Sequence, residues 1–407
     1  MKAVVFTLGC KVNEVESASV IAALESWGAE VSTKLCRADV YVLNTCAVTG
    51  EAEKKSRQLV ARARKFNPEA LIYVCGCASQ KNKAQFMSKG VTYIGGAQNK
   101  EELLCGLAGL FNANNACTQL PYPRSERTRA FIKIEDGCNN FCSYCIIPYL
   151  RGRVRCRSIE EIVEEVKSVT APEIVLTGIN ISAYNSGGRG LDGLISALGF
   201  CNARIRLGSL ECNVIDDKLL NACKSLKNFA PQFHLSLQSG SNAVLKSMNR
   251  RYTREEYLQK CALIYAAFPQ AAITCDIIAG FPTETEADFQ NSLSIIKEAG
   301  FARVHAFVFS PREGTAAYKL KDLPQDIKNS RKVRLLAAAK QASDAFVKAY
   351  IGTNQQVIWE EYNGEYTTGY TPNYIRAYIK GDYTGKTNTV TLTAPFSDGV
   401  LCVLPTL

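Results

Sequence analysis

The sequence predicts an α/β protein in three parts: an open parallel α/β domain over residues 1–120, a larger parallel βα array over 125–345, and a small antiparallel β-barrel over 346–407. Three observations predict it. Strand and helix patterns alternate through the first 120 residues, and the same rhythm resumes at larger scale from Ala130. Beyond a helical stretch of about 325–350, the composition shifts to β-branched and aromatic residues separated by Gly, Asn and Asp turns. At 407 residues, 47% apolar and 21% charged, the chain has ample core for two or three domains.

In the first part, 2–8 reads as a strand and 13–27 as a helix ended by Gly28. A second strand at 40–44 precedes a basic helix over 51–66 that stops at Asn67 and Pro68. A third strand at 71–75, a helix over 79–89 and a fourth strand at 91–94 complete a Rossmann- or flavodoxin-like unit. A linker with turn chemistry, 119–128 with Pro121 and Pro123, follows.

In the second part strands are expected at 130–135, 173–177, 204–208, 233–237, 272–278 and 303–309, with helices at 158–169, 190–199, 216–225, 241–268 and 284–299. Six βα units suit a partial (β/α)6 TIM-like barrel, in which chemistry collects at the strand carboxyl ends. In the third part, strands at 357–362, 366–370, 374–380, 389–394 and 400–404 make a five-stranded barrel, a shape often used for oligonucleotides.

Cys138, Cys142 and Cys145 in GCNNFCSYC are spaced for a tetranuclear iron–sulfur cluster with three thiolate ligands. The open fourth iron suits S-adenosylmethionine. A zinc site is disfavoured because the chain has only His234 and His305 for a fourth ligand, both in apolar, strand-like runs. A disulfide framework is disfavoured because the cysteine count, 17, is odd and the N-terminal strand lacks a leader's cleavage site. A cytoplasmic protein with reduced thiols is expected, and no apolar run approaches the roughly 20 residues of a membrane span. The net charge of +10 suggests a polyanionic partner, nucleic acid first.

Cys10, Cys46 and Cys77 each lie just beyond a strand of the first part, and parallel strand ends share one edge where ligand sites form. They make a second three-thiolate set, although position alone leaves Cys75 and Cys77 both open. The competing reading is the usual one for free cysteines, small buried hydrophobes. At the carboxyl ends of the second part, Gly178 and Asn180, Ser209 and Glu211, Gln238, Ser239 and Ser241, and Ile278, Gly280 and Phe281 are candidates to hold the cofactor's amino acid, ribose and adenine. Arg151, Arg153, Arg155 and Arg157 alternate after the cluster loop, so in an extended segment all four would face one way as a phosphate rail. The alternative is a solvated edge strand. The terminal barrel carries four Lys and Arg against five Asp and Glu, a net of −1, so stacking by Tyr362, Tyr366, Tyr370, Tyr374 and Tyr378 is the expected RNA contact there. Deleting 346–407 should then impair RNA binding.

Beyond these readings, TLGCKVN, LNTCAVT, VCGCASQ, GCNNFCSYCIIPYLRGR, LTGINISAY, RLGSLE, HLSLQSGSNAVLKSMNRRY, DIIAGFPTE and FSPREGTAA, in this order over essentially the whole length, resemble the methylthiotransferase branch of the radical S-adenosylmethionine superfamily. Tyr144, before the last cysteine of the triad, matches the aromatic position of its motif. The resemblance implies a radical S-adenosylmethionine cluster on Cys138, Cys142 and Cys145, an auxiliary [4Fe-4S] cluster on Cys10, Cys46 and Cys77 rather than Cys75, and a C-terminal RNA-binding TRAM barrel.

GCKVN with NTCAVT is similar to the group acting on N6-threonylcarbamoyladenosine at position 37 of transfer RNA. Groups acting on isopentenyladenosine or on ribosomal protein S12 are the alternatives within the branch. Glu14, Val15 and Glu16 depart from the commoner Gln-aromatic-Glu and touch no implied ligand. The implied reaction uses S-adenosylmethionine as methyl donor and radical source, with sulfur carried by the auxiliary cluster and hydrogen removed from adenine C2. An electron donor such as flavodoxin or ferredoxin and a sulfur source are implied partners. From another class, a non-catalytic iron–sulfur RNA-binding or electron-transfer protein would share the cysteines but need no sulfonium site.

Overall fold

The computed structural model describes residues 1–98, 100–113 and 128–405. The expected 119–128 linker lies outside them except for Thr128. The chain divides into two units. One holds the described residues up to 113 with Asp136–Val154 and Ser310–Tyr318; the other holds 128–135, Arg155–Phe309 and 319–405.

The first unit is built on a five-stranded, wholly parallel sheet in the spatial order Glu30–Ser32, Lys2–Thr7, Val40–Thr45, Leu71–Gly76, Tyr93–Ile94. The central strands read as continuous apolar runs because helices cover both faces. Leu43, Ile72 and Val74 pack on one side; Val40, Val42 and Cys75 pack on the other. Lys11–Ser26 ends where expected, with Gly28 at φ 82° closing the turn. Thr49 caps Gly50–Phe66 by accepting a hydrogen bond from the Ala52 amide. The single helix expected over 79–89 is two, Cys77–Lys81 and Lys83–Met87, broken at Asn82, whose amide donates to Glu53.

The second unit carries six βα strands, all parallel. Arg129–Lys133, Glu173–Thr177 and Arg204–Leu207 form one sheet; Ser209–Leu210, Gln232–Leu235, Ala272–Ala279 and Arg303–Val308 form the next. Gly208 divides the third strand between them, and a Cβ there would lie 2.9 Å from the Leu176 carbonyl oxygen. Capping boxes start three of the surrounding helices, at Ser158, Thr253 and Thr285. The 241–268 stretch is two helices, Asn242–Ser247 and Arg254–Ala267, separated by Asn249 in the left-handed region and the Thr253 cap.

Period-2 alternation sorts the strand residues. Ile205, Phe233, Leu235, Cys275, Ile277 and Val304 join the core under the helices. The opposite, inner face carries Arg204, Arg206, His234, Asp276 and His305. That face is polar at both ends of the strands.

The last part closes into a five-stranded barrel, Asn354–Tyr362, Tyr366–Tyr370, Arg376–Lys380, Gly399–Val403 and Thr387–Phe396 in spatial order, around the fully buried Trp359. The fold class thus matches the sequence expectation, mixed α/β with parallel sheets and a terminal five-stranded barrel, except that the barrel is not wholly antiparallel: Arg376–Lys380 and Gly399–Val403 pair in parallel. The barrel is held to the preceding strands by charge. Glu173 accepts from Arg204 Nε at 2.5 Å and from Arg206 Nε and Nη2 at 2.9 Å. The same arginines donate onward to the Tyr370 and Pro372 carbonyls, and Arg129 pairs with Glu360 at 2.7 Å. Among the described residues no helix is long and apolar enough to cross a membrane.

Candidate functional site

Parallel register aligns the carboxyl ends of the first unit's strands. Thr7 pairs with Asn44 and Thr45 with Gly76, so Cys10, Cys46 and Cys77 emerge at one edge. Cys10 caps the first helix and is exposed; Cys46 and Cys77 are buried. Gly9, at φ 117°, is a close approach: a Cβ there would lie 2.9 Å from Cys46 Cβ and 3.1 Å from its Sγ. Gly76 turns the chain at φ 100° into the helix that begins at Cys77. The Asn13 amide donates to the Leu8 and Thr45 carbonyls at 2.8 and 3.2 Å, tying the first two turns together. The Cys46 amide donates to Ser56 Oγ at 3.1 Å.

Burial pushes the Cys77 thiol up to about 11, against the pull of the Arg151 guanidinium, and the thiols of Cys10 and Cys46 add to the rise. Burial likewise raises Cys46, with Cys10 contributing. Thiols that feel one another while sharing a cationic neighbour are a donor set that a metal cluster relieves by replacing the protons. Cys75 differs. It points into the opposite face, fully buried, where the Lys100 ammonium acts on it by charge.

The second cysteine loop also belongs to the first unit. Gly137, at φ 89°, admits the approach of the Arg153 carbonyl, from which a Cβ would stand 2.1 Å. The Cys138 amide then donates to the Gly152 carbonyl at 3.1 Å, closing the base of the loop. The Asn140 amide donates to Cys138 Sγ at 3.5 Å, the N–H to sulfur contact that iron–sulfur ligands use. Phe141 lies edge-on to Tyr149 and under Arg153, 4.6 Å from its ring centre. Ile146 and Leu150, just past Cys145, are anchored in the N-terminal core. The Ala317 amide donates to the Ser143 carbonyl at 2.7 Å, and Arg312 pairs with the buried Glu53. Tyr144 is half-buried within this loop. These two thiol sets, with their glycine approaches, fit clusters of the expected kind.

On the second unit the expected cofactor segments are shaped as follows. The buried Glu135 accepts from the Asn180 amide at 2.7 Å, and a Cβ on Gly178 would come within 2.8 Å of that oxygen. Ser209 is exposed; Glu211 meets Arg250 at 2.9 Å. Gln238, at φ 70°, bridges the strands by donating to the Asp276 carbonyl and accepting from the Ile278 amide. Gly280, at φ 75°, donates its amide to Glu284. Phe281 is fully buried against Phe309, and Ser241 caps a helix while donating to Asp288, so these two and the buried Ser239 shape the scaffold rather than face a ligand.

Two expectations about charge and aromatic contacts are corrected. The four-arginine rail does not exist as a row. Arg151 ends a short helix rather than lying in a strand, and it is fully buried between Glu16 and Asp136. Arg157 is half-buried and pairs with Glu165 at 2.5 Å, while Arg153 and Arg155 are exposed. Of the five tyrosines, Tyr370 and Tyr374 stack on each other at 4.6 Å under Arg129, and Tyr378 is buried against Asp398. Tyr362 is exposed and Tyr366 half-buried against Phe396.

Sequence reasoning missed a third constellation. His234, Asp276 and His305, on three adjacent strands, bring donor atoms within 4.8 Å of one another on the inner face of the βα array. His234 meets Asp276 Oδ2 at 3.2 Å through Nε2 and Thr274 Oγ1 at 3.0 Å through Nδ1. The histidines' strands are apolar only on the other face; strict alternation from Phe233 and Leu235 was the available signal.

Two family models match the chain: an uncharacterized protein family, UPF0004, over residues 2–95, and the radical S-adenosylmethionine superfamily over residues 132–296. The chain is 36% identical over 379 residues to threonylcarbamoyladenosine tRNA methylthiotransferase of Bacillus subtilis, covering 87% of this chain and 84% of that protein. This chain belongs to the radical S-adenosylmethionine methylthiotransferase family. The tRNA-2-methylthio-N(6)-dimethylallyladenosine synthase of Oceanobacillus iheyensis is similar too, at 34% identity over 386 residues, 88% of this methylthiotransferase and 74% of that one. The methyltransferase TsrM from Kitasatospora setae shares the fold, with a TM-score of 0.55 at 13% identity, covering 75% of this chain and 72% of its own. As a radical S-adenosylmethionine enzyme, the methylthiotransferase uses a [4Fe-4S] cluster and S-adenosylmethionine.

Proposed function

We propose that this protein converts N6-threonylcarbamoyladenosine at position 37 of transfer RNA to its 2-methylthio derivative. The observation that carries the reading is the identity with the Bacillus subtilis enzyme of that specificity over most of both chains. In this reading Cys138, Cys142 and Cys145 hold the radical cluster and Cys10, Cys46 and Cys77 hold a second, sulfur-bearing one; residues 1–120, 125–345 and 346–407 are the sulfur-carrying, radical and RNA-binding domains. When bound, these groups and S-adenosylmethionine supply the electron, the carbon radical and the methylated sulfur.

The chain's own residues bind and orient. Gly178 and Asn180, held by Glu135, with Ser209, Glu211, Gln238, Ile278 and Gly280, offer backbone and polar contacts to S-adenosylmethionine, and Tyr144 borders the cysteine loop. Arg153 and Arg155 are exposed for phosphates, and Tyr362 for an unpaired base. A low-potential carrier such as flavodoxin or ferredoxin delivers the electrons, and a separate sulfur source replenishes what leaves in the product. The test is mass analysis of nucleosides from transfer RNA of cells with and without the protein. Loss of the 2-methylthio threonylcarbamoyl form alone supports the assignment; loss of only the isopentenyl form transfers it to that substrate.

His234, Asp276 and His305 are polar groups on the inner face suited to hydrogen-bond an adenine edge and so fix where C2 sits. His234→Gln or His305→Gln is expected to keep S-adenosylmethionine cleavage but waste it. The ratio of 5′-deoxyadenosine formed to methylthio product should rise about tenfold or more, as misplacement of a reacting carbon does. An unchanged ratio would remove these residues from base positioning.

A further inference from the structure

Arg151 stands six residues beyond Cys145, and no part of its side chain reaches solvent. Its Nη1 donates to Glu16 and Asp136 at 3.0 Å, and its Nη2 donates to Asn13 Oδ1 at 2.6 Å. Asn13 and Glu16 lie on the helix that Cys10 caps. The guanidinium also acts by charge on the Cys77 and Cys46 thiols, and the Asn13 side chain it holds donates to the Leu8 and Thr45 carbonyls beside Cys10 and Cys46. One side chain from the radical-cluster loop therefore reaches all three strand-end turns of the other thiol set.

We propose that Arg151 is a positioning and tuning residue for the second cluster, setting a buried positive charge beside its thiols and fixing the Cys138–Cys145 loop to the helix that follows Cys10. The inference rests on the reading of Cys10, Cys46 and Cys77 as cluster ligands. Burying a guanidinium is costly unless it is paired, and the fork geometry lets one Arg serve two carboxylates and an amide oxygen at once. Glu16 is the adjustable counter-charge. It is 3% exposed and shared with Lys100 at 3.5 Å, whose charge also acts on Cys75 on the far face of the sheet. A cation beside cluster sulfur favours the more negative, reduced cluster, so Arg151 raises its reduction potential and Glu16 opposes that.

The test uses the full chain carrying Cys138→Ser, Cys142→Ser and Cys145→Ser, so that any bound cluster reports only the second site. Iron and sulfide per chain and the midpoint potential, followed by electron paramagnetic resonance, are compared for this protein, Arg151→Met and Glu16→Gln. Arg151→Met is expected to lose iron and move the potential of what remains to more negative values. Glu16→Gln leaves the guanidinium in place with less counter-charge and is expected to move it the other way, a reversal that simple loosening of the fold would not produce. Should Arg151→Met fail to fold, the sign in Glu16→Gln alone decides. A starting protein that binds no cluster overturns the reading of the three thiols and the inference with it. A bound cluster whose potential is unmoved, or shifts negative in Glu16→Gln, overturns the inference alone.

Discussion

Cys77→Ser is expected to abolish methylthiolation while 5′-deoxyadenosine is still formed, whereas Cys75→Ser, two residues earlier, should leave both reactions running. The turn at Gly76, φ 100°, is the reason: a continued strand would put both cysteines on one face, but the chain leaves the strand there and carries Cys77 away from the layer of Cys75. Cys77 begins a helix at the strand-end edge beside Cys46 and Arg151, while Cys75 faces the opposite layer and Lys100. Serine cannot replace a thiolate ligand, but at position 75 its hydroxyl is a near-isosteric neighbour for Lys100. The check is to assay both products anaerobically with reductant, S-adenosylmethionine and transfer RNA. Loss of 5′-deoxyadenosine in Cys77→Ser would show that the two thiol sets do not divide the chemistry.

The second large effect concerns Glu173, whose carboxylate is fully buried under Arg204 and Arg206. Burial alone would raise its pKa, but Arg206, then Arg204 and Arg129, outweigh it and hold the carboxyl at about 2, below its ordinary 4.5. A depressed carboxyl adds stability that is fully present above the unfolded pKa and disappears as pH falls through the folded one. The contribution, roughly 3 kcal/mol at about 1.4 kcal/mol per pH unit, is therefore lost between pH 4.5 and about 2. Glu173→Gln should cost about 3–5 kcal/mol at neutral pH, because it strands two buried guanidinium groups. It should also flatten the acid limb of a urea-denaturation series. A variant as stable as the parent at pH 7 would contradict the network. The same contacts make deletion of 346–407 a poor probe of RNA binding. It would remove Glu360 and the carbonyls of Tyr370, Thr371 and Pro372 from Arg129, Arg204 and Arg206, so lost binding would not separate RNA contact from a disturbed βα array.

Periodicity made most strands legible because each buries at least one face: Glu173–Thr177 was read to the residue, and Ala272–Ala279 to within one. Glu30–Ser32 was not, since three residues at a sheet edge carry no apolar repeat. The helix breaks at Asn82 and Asn249 were missed for a similar reason: asparagine ends a helix through a backbone state and a side-chain partner that periodicity does not register. The grouping of Cys10, Cys46 and Cys77 at one strand-end edge and of Cys138, Cys142 and Cys145 in one loop was legible from spacing and strand ends. Arg151 was not, because alternation of arginines implies a strand only if the backbone is extended, and here a proline-started helix turns the first of them inward. His234 and His305 were read from their apolar neighbours, although strand alternation puts those neighbours on the other face.

The most direct measurement is a single anaerobic assay of the purified, cluster-loaded protein with reductant, S-adenosylmethionine and transfer RNA bearing either threonylcarbamoyl- or isopentenyladenosine at position 37. The account predicts 5′-deoxyadenosine and a 2-methylthio nucleoside from the threonylcarbamoyl substrate, and no methylthio product from the other. Product from isopentenyladenosine alone, or deoxyadenosine with no methylthio product from either, would contradict it.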